Sequence, residues 1–156
     1  MTKKHYEKLD QVRELALQLM RKHKLDKGGW QFQWDHAKLR LGSCNYTYKT
    51  ITLSKWYMLG LKRSEIKDTI LHEIAHALVG PCTTWKENGR RADAPHGPAW
   101  KAMAEKIGAT PKAKAKLTYE DWDKLQKTVV ILTSAGRKKP LEYNYPSLNR
   151  YRMPRG

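Results

Sequence analysis

At 156 residues the chain is long enough for one domain around a single core, and six tryptophans and eight tyrosines supply bulky material for it. No apolar run approaches the roughly 20 residues that span a bilayer. Lysine and arginine number 31 against 15 acids, a net charge of +16, which favours a polyanionic partner over a membrane, with nucleic acid the first candidate.

The opening MTKKHYEKLDQVREL is charged throughout and carries no apolar signal region, so a cytosolic location is expected, or a nuclear one in a nucleated host. Cys44 and Cys82 are lone thiols, which leaves neither a disulfide framework nor a four-cysteine zinc site. Both are expected to be buried and inert. A monomer is expected.

From about Lys4 to His23, Leu9, Val12, Leu15, Ala16, Leu19 and Met20 recur at helical spacing and predict one buried stripe. DKGG breaks that helix. WQFQW then alternates, which puts Trp30, Phe32 and Trp34 on one face of a strand. KLRLGSCNYTYKTITLS predicts two further strands that fold back near Tyr48, Lys49 and Thr50. Ser64 suits the cap of the next helix, with Glu65 facing its positive end, and Gly80-Pro81 stops it. A further helix is predicted with Pro98 at its first position and Gly108 just past its end. TYEDWDKLQK predicts a shorter helix capped by Thr118, and TVVILT reads as a strand-like run. After Gly136 the composition turns to Arg, Lys, Pro, Tyr and Asn, which predicts a loosely ordered tail.

The chemistry lies in LHEIAHALVG. Advancing about 100° per residue collects Ile66, Ile70, Leu71, Ile74, Ala77 and Leu78 in one arc. His72 and His76 fall together on the far side near Thr69 and Glu65, with Glu73 between the two groups. Two imidazoles one turn apart can reach one ion at about 2.0–2.1 Å, and a catalytic zinc needs a third protein ligand plus an open position. His96, at the mouth of the helix that follows, is the best third ligand, with Asp93 as runner-up or as an acceptor for a ligating ring. His5 and His23 read as solvated, and His36 has no assigned role. Glu73 then suits a general base that takes a proton from an attacking water and passes it to a leaving amine.

LGSCNYTYKTITLS, then LHEIAHALVG, then HGPAWKAMAEKIG resembles the SprT-like (Spartan) zinc metalloproteases over roughly Leu39 to Gly108. The resemblance implies zinc held by His72, His76 and His96, with Glu73 as catalytic base. It also implies an α+β fold of the minimal zincin-like kind, a small three-stranded sheet packed on helices. The activity implied is an endopeptidase acting on proteins trapped on DNA. Many bacterial members add a C-terminal zinc ribbon with paired cysteines, and this sequence contains no CxxC.

DNA binding must then come from other residues. Lys112, Lys114 and Lys116 form one basic cluster. Arg137, Lys138, Lys139, Arg150, Arg152 and Arg155 form another, interleaved with Tyr143, Tyr145 and Tyr151, a composition that suits single-stranded DNA. The expected organisation is a metalloprotease domain over 1–110, a short helix plus strand-like extension over 111–136, and a basic tail over 137–156. Two rival readings stand beside this one. The first is a basic DNA-binding protein whose zinc is structural, closed by Asp93, Cys82 or Cys44. The second is a metallopeptidase with no nucleic-acid link. Trp100 reads as core rather than a stacking platform, while Trp56 and Trp85 fit either role.

Overall fold

The computed structural model describes residues 1–81, 88, 95–113 and 118–133. Among them are five α-helices and a three-stranded mixed sheet, an α+β architecture. No helix among them is long and apolar enough to cross a membrane.

Helix α1 (Lys3–Lys22) buries the predicted stripe: Leu9, Val12, Leu15, Ala16, Leu19 and Met20 are all in the core. Thr2 caps it, its hydroxyl accepting from the His5 amide at 3.3 Å while His5 Nδ1 accepts from the Thr2 amide at 3.0 Å. His5 is thus a capping residue. Lys8 also leaves the solvated face, its Nζ donating to the carbonyls of Leu59 at 3.0 Å and Leu61 at 2.9 Å. That pins α1 to the segment leading into the helix that carries His72 and His76.

A short 3-10 turn at Asp26–Gly28 leads to strand β1 (Gln31–Asp35). Strands β2 (Gly42–Asn45) and β3 (Thr50–Ser54) form a hairpin, and β3 lies in the middle, parallel to β1 and antiparallel to β2. The reversal comes slightly earlier than the sequence suggests, since Thr50 already pairs with Asn45 and Gln31. In this register Phe32, Ile51 and Cys44 share a rung, as do Trp34, Leu53 and Gly42, and these rungs form the sheet's apolar face.

One element escapes the sequence pattern, and one helix starts earlier than expected. Helix α2 (Lys55–Met58) is a single turn, too short to show periodicity, yet it buries Tyr57 and Met58. Helix α3 (Arg63–Val79) starts before Ser64. Its cap is Lys62, whose amide donates to Glu65 Oε1 at 3.0 Å, so Glu65 supplies the capping oxygen expected from Ser64. Gly80 ends α3 at φ +82°, as the Gly-Pro pair implied.

Helix α4 (Pro98–Ile107) has the predicted ends, with Pro98 in its first turn and Gly108 left-handed at φ +90°. Helix α5 (Tyr119–Thr133) corrects the strand-like reading of TVVILT, because that run is its C-terminal half. Trp122, Leu125, Gln126 and Val129 make a buried stripe at helical spacing, and this packing overrides the strand propensity of the valines and isoleucine. The predicted Thr118 cap is present, its hydroxyl accepting from the Asp121 amide at 3.1 Å. The tail over 137–156 and its basic cluster lie outside the described residues, as do Lys114 and Lys116.

The ring of Trp122 stacks on Tyr57, with centroids 5.5 Å apart and planes 11° from parallel, and joins α5 to α2. Trp122 is 1% exposed, so Trp122→Ala should cost about 3–5 kcal/mol in urea unfolding. Trp122→Phe should cost less than half as much, because it keeps a stacked ring and removes an indole N–H that has no partner among the described residues.

Candidate metal centre

Helix α3 is the interior helix of the fold. Ile66, Ile70, Leu71, Ile74 and Ala75 are buried, and so are Thr69, His72, Glu73 and His76 on the side expected to face outward. His72 is 7% exposed, His76 2% and Glu73 0%. Neighbouring elements cover that polar side: α4 packs over the histidines, and strand β2 lies against Glu73.

Two contacts dock α4. Trp100 Nε1 donates to the His72 carbonyl at 3.3 Å, and beyond the helix the Thr110 amide donates to Asp68 Oδ1 at 2.7 Å. This docking carries His96, two residues before Pro98, to the α3 histidines. His96 Nε2 lies 3.1 Å from His72 Nε2 and 3.0 Å from His76 Nε2. A ring nitrogen carries one proton or one lone pair, so His96 Nε2 cannot make both contacts as good hydrogen bonds. Three nitrogens around a tetrahedral ion with bonds of about 2.05 Å would lie roughly 3.3 Å apart, close to what is found. The three imidazoles therefore fit a zinc-type cation better than they fit one another.

Trp100 is buried as expected, but it also walls the cluster, with its ring centroid 4.6 Å from His72, 5.4 Å from His76 and 4.8 Å from His96. The only signal in the sequence was proximity, since Trp100 follows His96 by four residues across the start of α4. Apolar packing of this kind holds the rings in orientation and keeps water out.

Among the described residues no Cys, Asp or Glu joins the three histidines as a further ligand. Cys44, one rival fourth ligand, lies on β2 and is half-buried, and its thiol is pushed well above the ordinary range by burial and then by Glu73. A thiol held protonated in this way is a weak nucleophile and a poor metal ligand. Asp93 and Cys82 lie outside the described residues, and so does Trp85. His23 and His36 are remote from the cluster; His36 packs edge-on to Trp56 at 6.1 Å. Trp56 is half-buried beneath Lys55, whose Nζ is 4.6 Å from its ring centroid.

Both oxygens of Glu73 are buried without a hydrogen-bond partner among the described residues. Burial raises its pKa well above the ordinary 4.5, with Arg40 opposing and Asp35 adding to the shift. Arg40 is itself engaged by Asp35 at 3.0 Å, and Thr52 Oγ1 donates to the same carboxylate oxygen at 2.7 Å. Gly42 permits the close approach of β2, because a Cβ there would meet the Thr52 carbonyl at 2.7 Å and Glu73 Cγ at 3.5 Å. His76 is pushed down to about 2 by burial, then by His72 and His96.

These shifts set the pH response of the metal-free protein. Glu73 contributes stability that is complete below about pH 4.5 and is lost as pH rises toward its elevated folded-state pKa. His76 acts in the opposite sense, its contribution complete above pH 6.5 and lost as pH falls toward 2. With chelator present, Glu73→Gln should raise the thermal midpoint by at least ~3 °C at pH 8, the equivalent of about 1 kcal/mol. The gain should vanish near pH 4. A midpoint that is unchanged at pH 8 would mean that Glu73 bears no burial strain.

The description of the family model that matches this chain is SprT-like family, and the match covers residues 9–121, from α1 into α5. No curated protein and no solved structure matches the chain. The matched segment contains all three histidines and Glu73, and the family is of the zinc-metallopeptidase type. The chain belongs to the SprT-like family.

Proposed function

We propose that the protein is a zinc-dependent endopeptidase in which His72, His76 and His96 hold the ion and Glu73 is the catalytic base, acting on DNA-associated or DNA-crosslinked proteins. The observation that carries the reading is the convergence of His72 Nε2 and His76 Nε2 on His96 Nε2, at 3.1 and 3.0 Å, next to a buried carboxylate with no partner among the described residues. A bound Zn²⁺ would supply a Lewis acid for the scissile carbonyl.

The protein's own groups do the rest. Glu73 is kept dry and without donors, so its carboxylate is a stronger base than one in water, suited to take a proton from an attacking water. Returning that proton to the departing amine completes hydrolysis and restores the carboxylate. Neutral imidazoles are the form that binds a cation, and burial keeps His76 neutral. The net charge of +16 supports a polyanionic partner, and the sequence resemblance favours DNA as that partner.

The test is a cleavage assay on a basic protein, with and without single-stranded DNA and chelator. Glu73→Gln should keep one zinc per chain and lose cleavage by about 10²-fold or more. Cleavage by that variant at the wild-type rate would remove Glu73 from its role. Replacing His72, His76 or His96 with Ala should weaken zinc binding by more than the roughly 100-fold that loss of a group supporting a ligand can cost. Tight zinc with no cleavage under any condition would instead select a structural metal site.

A further inference from the structure

Two turns meet at the end of the sheet where α1 enters β1 and where β2 reverses into β3. Lys49, in the second turn, donates from Nζ to the Gly28 carbonyl in the first at 3.0 Å, and its own carbonyl accepts from the Gln31 amide at 2.8 Å. Trp30 stands edge-on to Tyr46 across the junction, with ring centroids 6.3 Å apart and planes at 88°. The two turns are therefore one surface.

That surface is basic and aromatic together. Arg21, Lys22, Lys24, Lys27 and Lys49 are all exposed, and Asp26 is the single acid in the segments 21–30 and 42–49. Tyr48 is 77% exposed, the most exposed large hydrophobic side chain among the described residues, and the Trp30–Tyr46 pair is half-buried. An apolar ring held out in water at a tight turn stabilises nothing in the fold. The Tyr48 backbone is held without help from the ring, its amide donating to Asn45 Oδ1 at 3.0 Å and its carbonyl accepting from Thr50 Oγ1 at 3.0 Å.

We propose that the α1–β1 and β2–β3 turns form a docking surface for single-stranded DNA, with the cations on phosphates and Tyr48 stacked on a base. The choice of DNA rests on the proposed DNA-associated function, which this surface deepens by giving the strand a place on the folded domain. A single strand suits the surface because a duplex offers phosphates to the lysines but hides its base faces from the ring. Tyr46 connects the surface to the metal centre. It directly follows β2, the strand whose Gly42 lies against Glu73, so one strand links the surface to the candidate site.

The test uses the full chain and fluorescein-labelled oligo-dT, with affinity followed by anisotropy across a salt series. Tyr48→Ala should weaken oligo-dT binding about tenfold while leaving a duplex of equal length nearly unaffected, and Tyr48→Phe should restore it. Lys22→Ala with Lys27→Ala should reduce the slope of log affinity against log salt by about 1.4, at roughly 0.7 per phosphate on a single strand. Zinc content and unfolding midpoint should not change in any of these variants. Wild-type affinity and salt slope in the combined triple variant would overturn the proposal, as would no oligo-dT binding by the wild type at low salt. Loss of binding from Arg137→Ala, Lys138→Ala and Lys139→Ala with the turn variants intact would overturn it in favour of the tail. Binding is read without cleavage, so loss of the peptidase reading through Glu73→Gln is a separate outcome.

Discussion

The fold is organised around one costly arrangement, a helix that buries polar groups on the side where solvent would ordinarily be. His72, Glu73 and His76 belong to α3, and each is less than 10% exposed. Buried polar groups destabilise a protein unless they are partnered, and neither oxygen of Glu73 has a hydrogen-bond partner among the described residues. A cation among the imidazoles would resolve the crowding of three nitrogens and give the Glu73 carboxylate a counter-charge. Metal affinity and domain stability would then be coupled, because the three imidazoles meet only when α4 is docked on α3.

Docking is what the surrounding residues supply. Trp100 bonds the His72 backbone and touches all three rings, so the residue that closes the core also orients the ligands. The Asp68–Thr110 bond holds the far end of α4. On the opposite flank, glycine at position 42 lets an edge strand close over Glu73. Lys8 spans from α1 to the segment before α3. Each contact is modest, about 1 kcal/mol for a typical hydrogen bond, but together they fix the helix that bears the candidate base.

Much of this was legible because it is local. The α1 stripe follows from a 3.6-residue period, and the ends of α4 follow from a proline and a glycine whose backbone preferences act within one turn. The misreadings are also physical. Helix α2 has one turn and no period to detect. The valines and isoleucine of TVVILT favour strands in isolation, but no strand lies beside them among the described residues, and the stripe of Trp122, Leu125, Gln126 and Val129 holds the segment helical. At the start of α3, Ser64 matches a cap by residue type, while the carboxylate of Glu65 reaches the free amide of Lys62.

For this protein, sequence alone determined the pairing of His72 with His76 and the adjacency of Glu73, since helical geometry sets both within five residues. It also singled out His96, by residue type and by its position at the mouth of a helix. Only the tertiary structure decided that His96 meets the other two, that Trp100 walls them and that the polar side of α3 is enclosed. It likewise joined Lys49 to Gly28, 21 residues earlier, and Tyr46 to Trp30. Periodicity along a chain records which face a residue occupies; what covers that face depends on packing between distant segments, which no local pattern encodes.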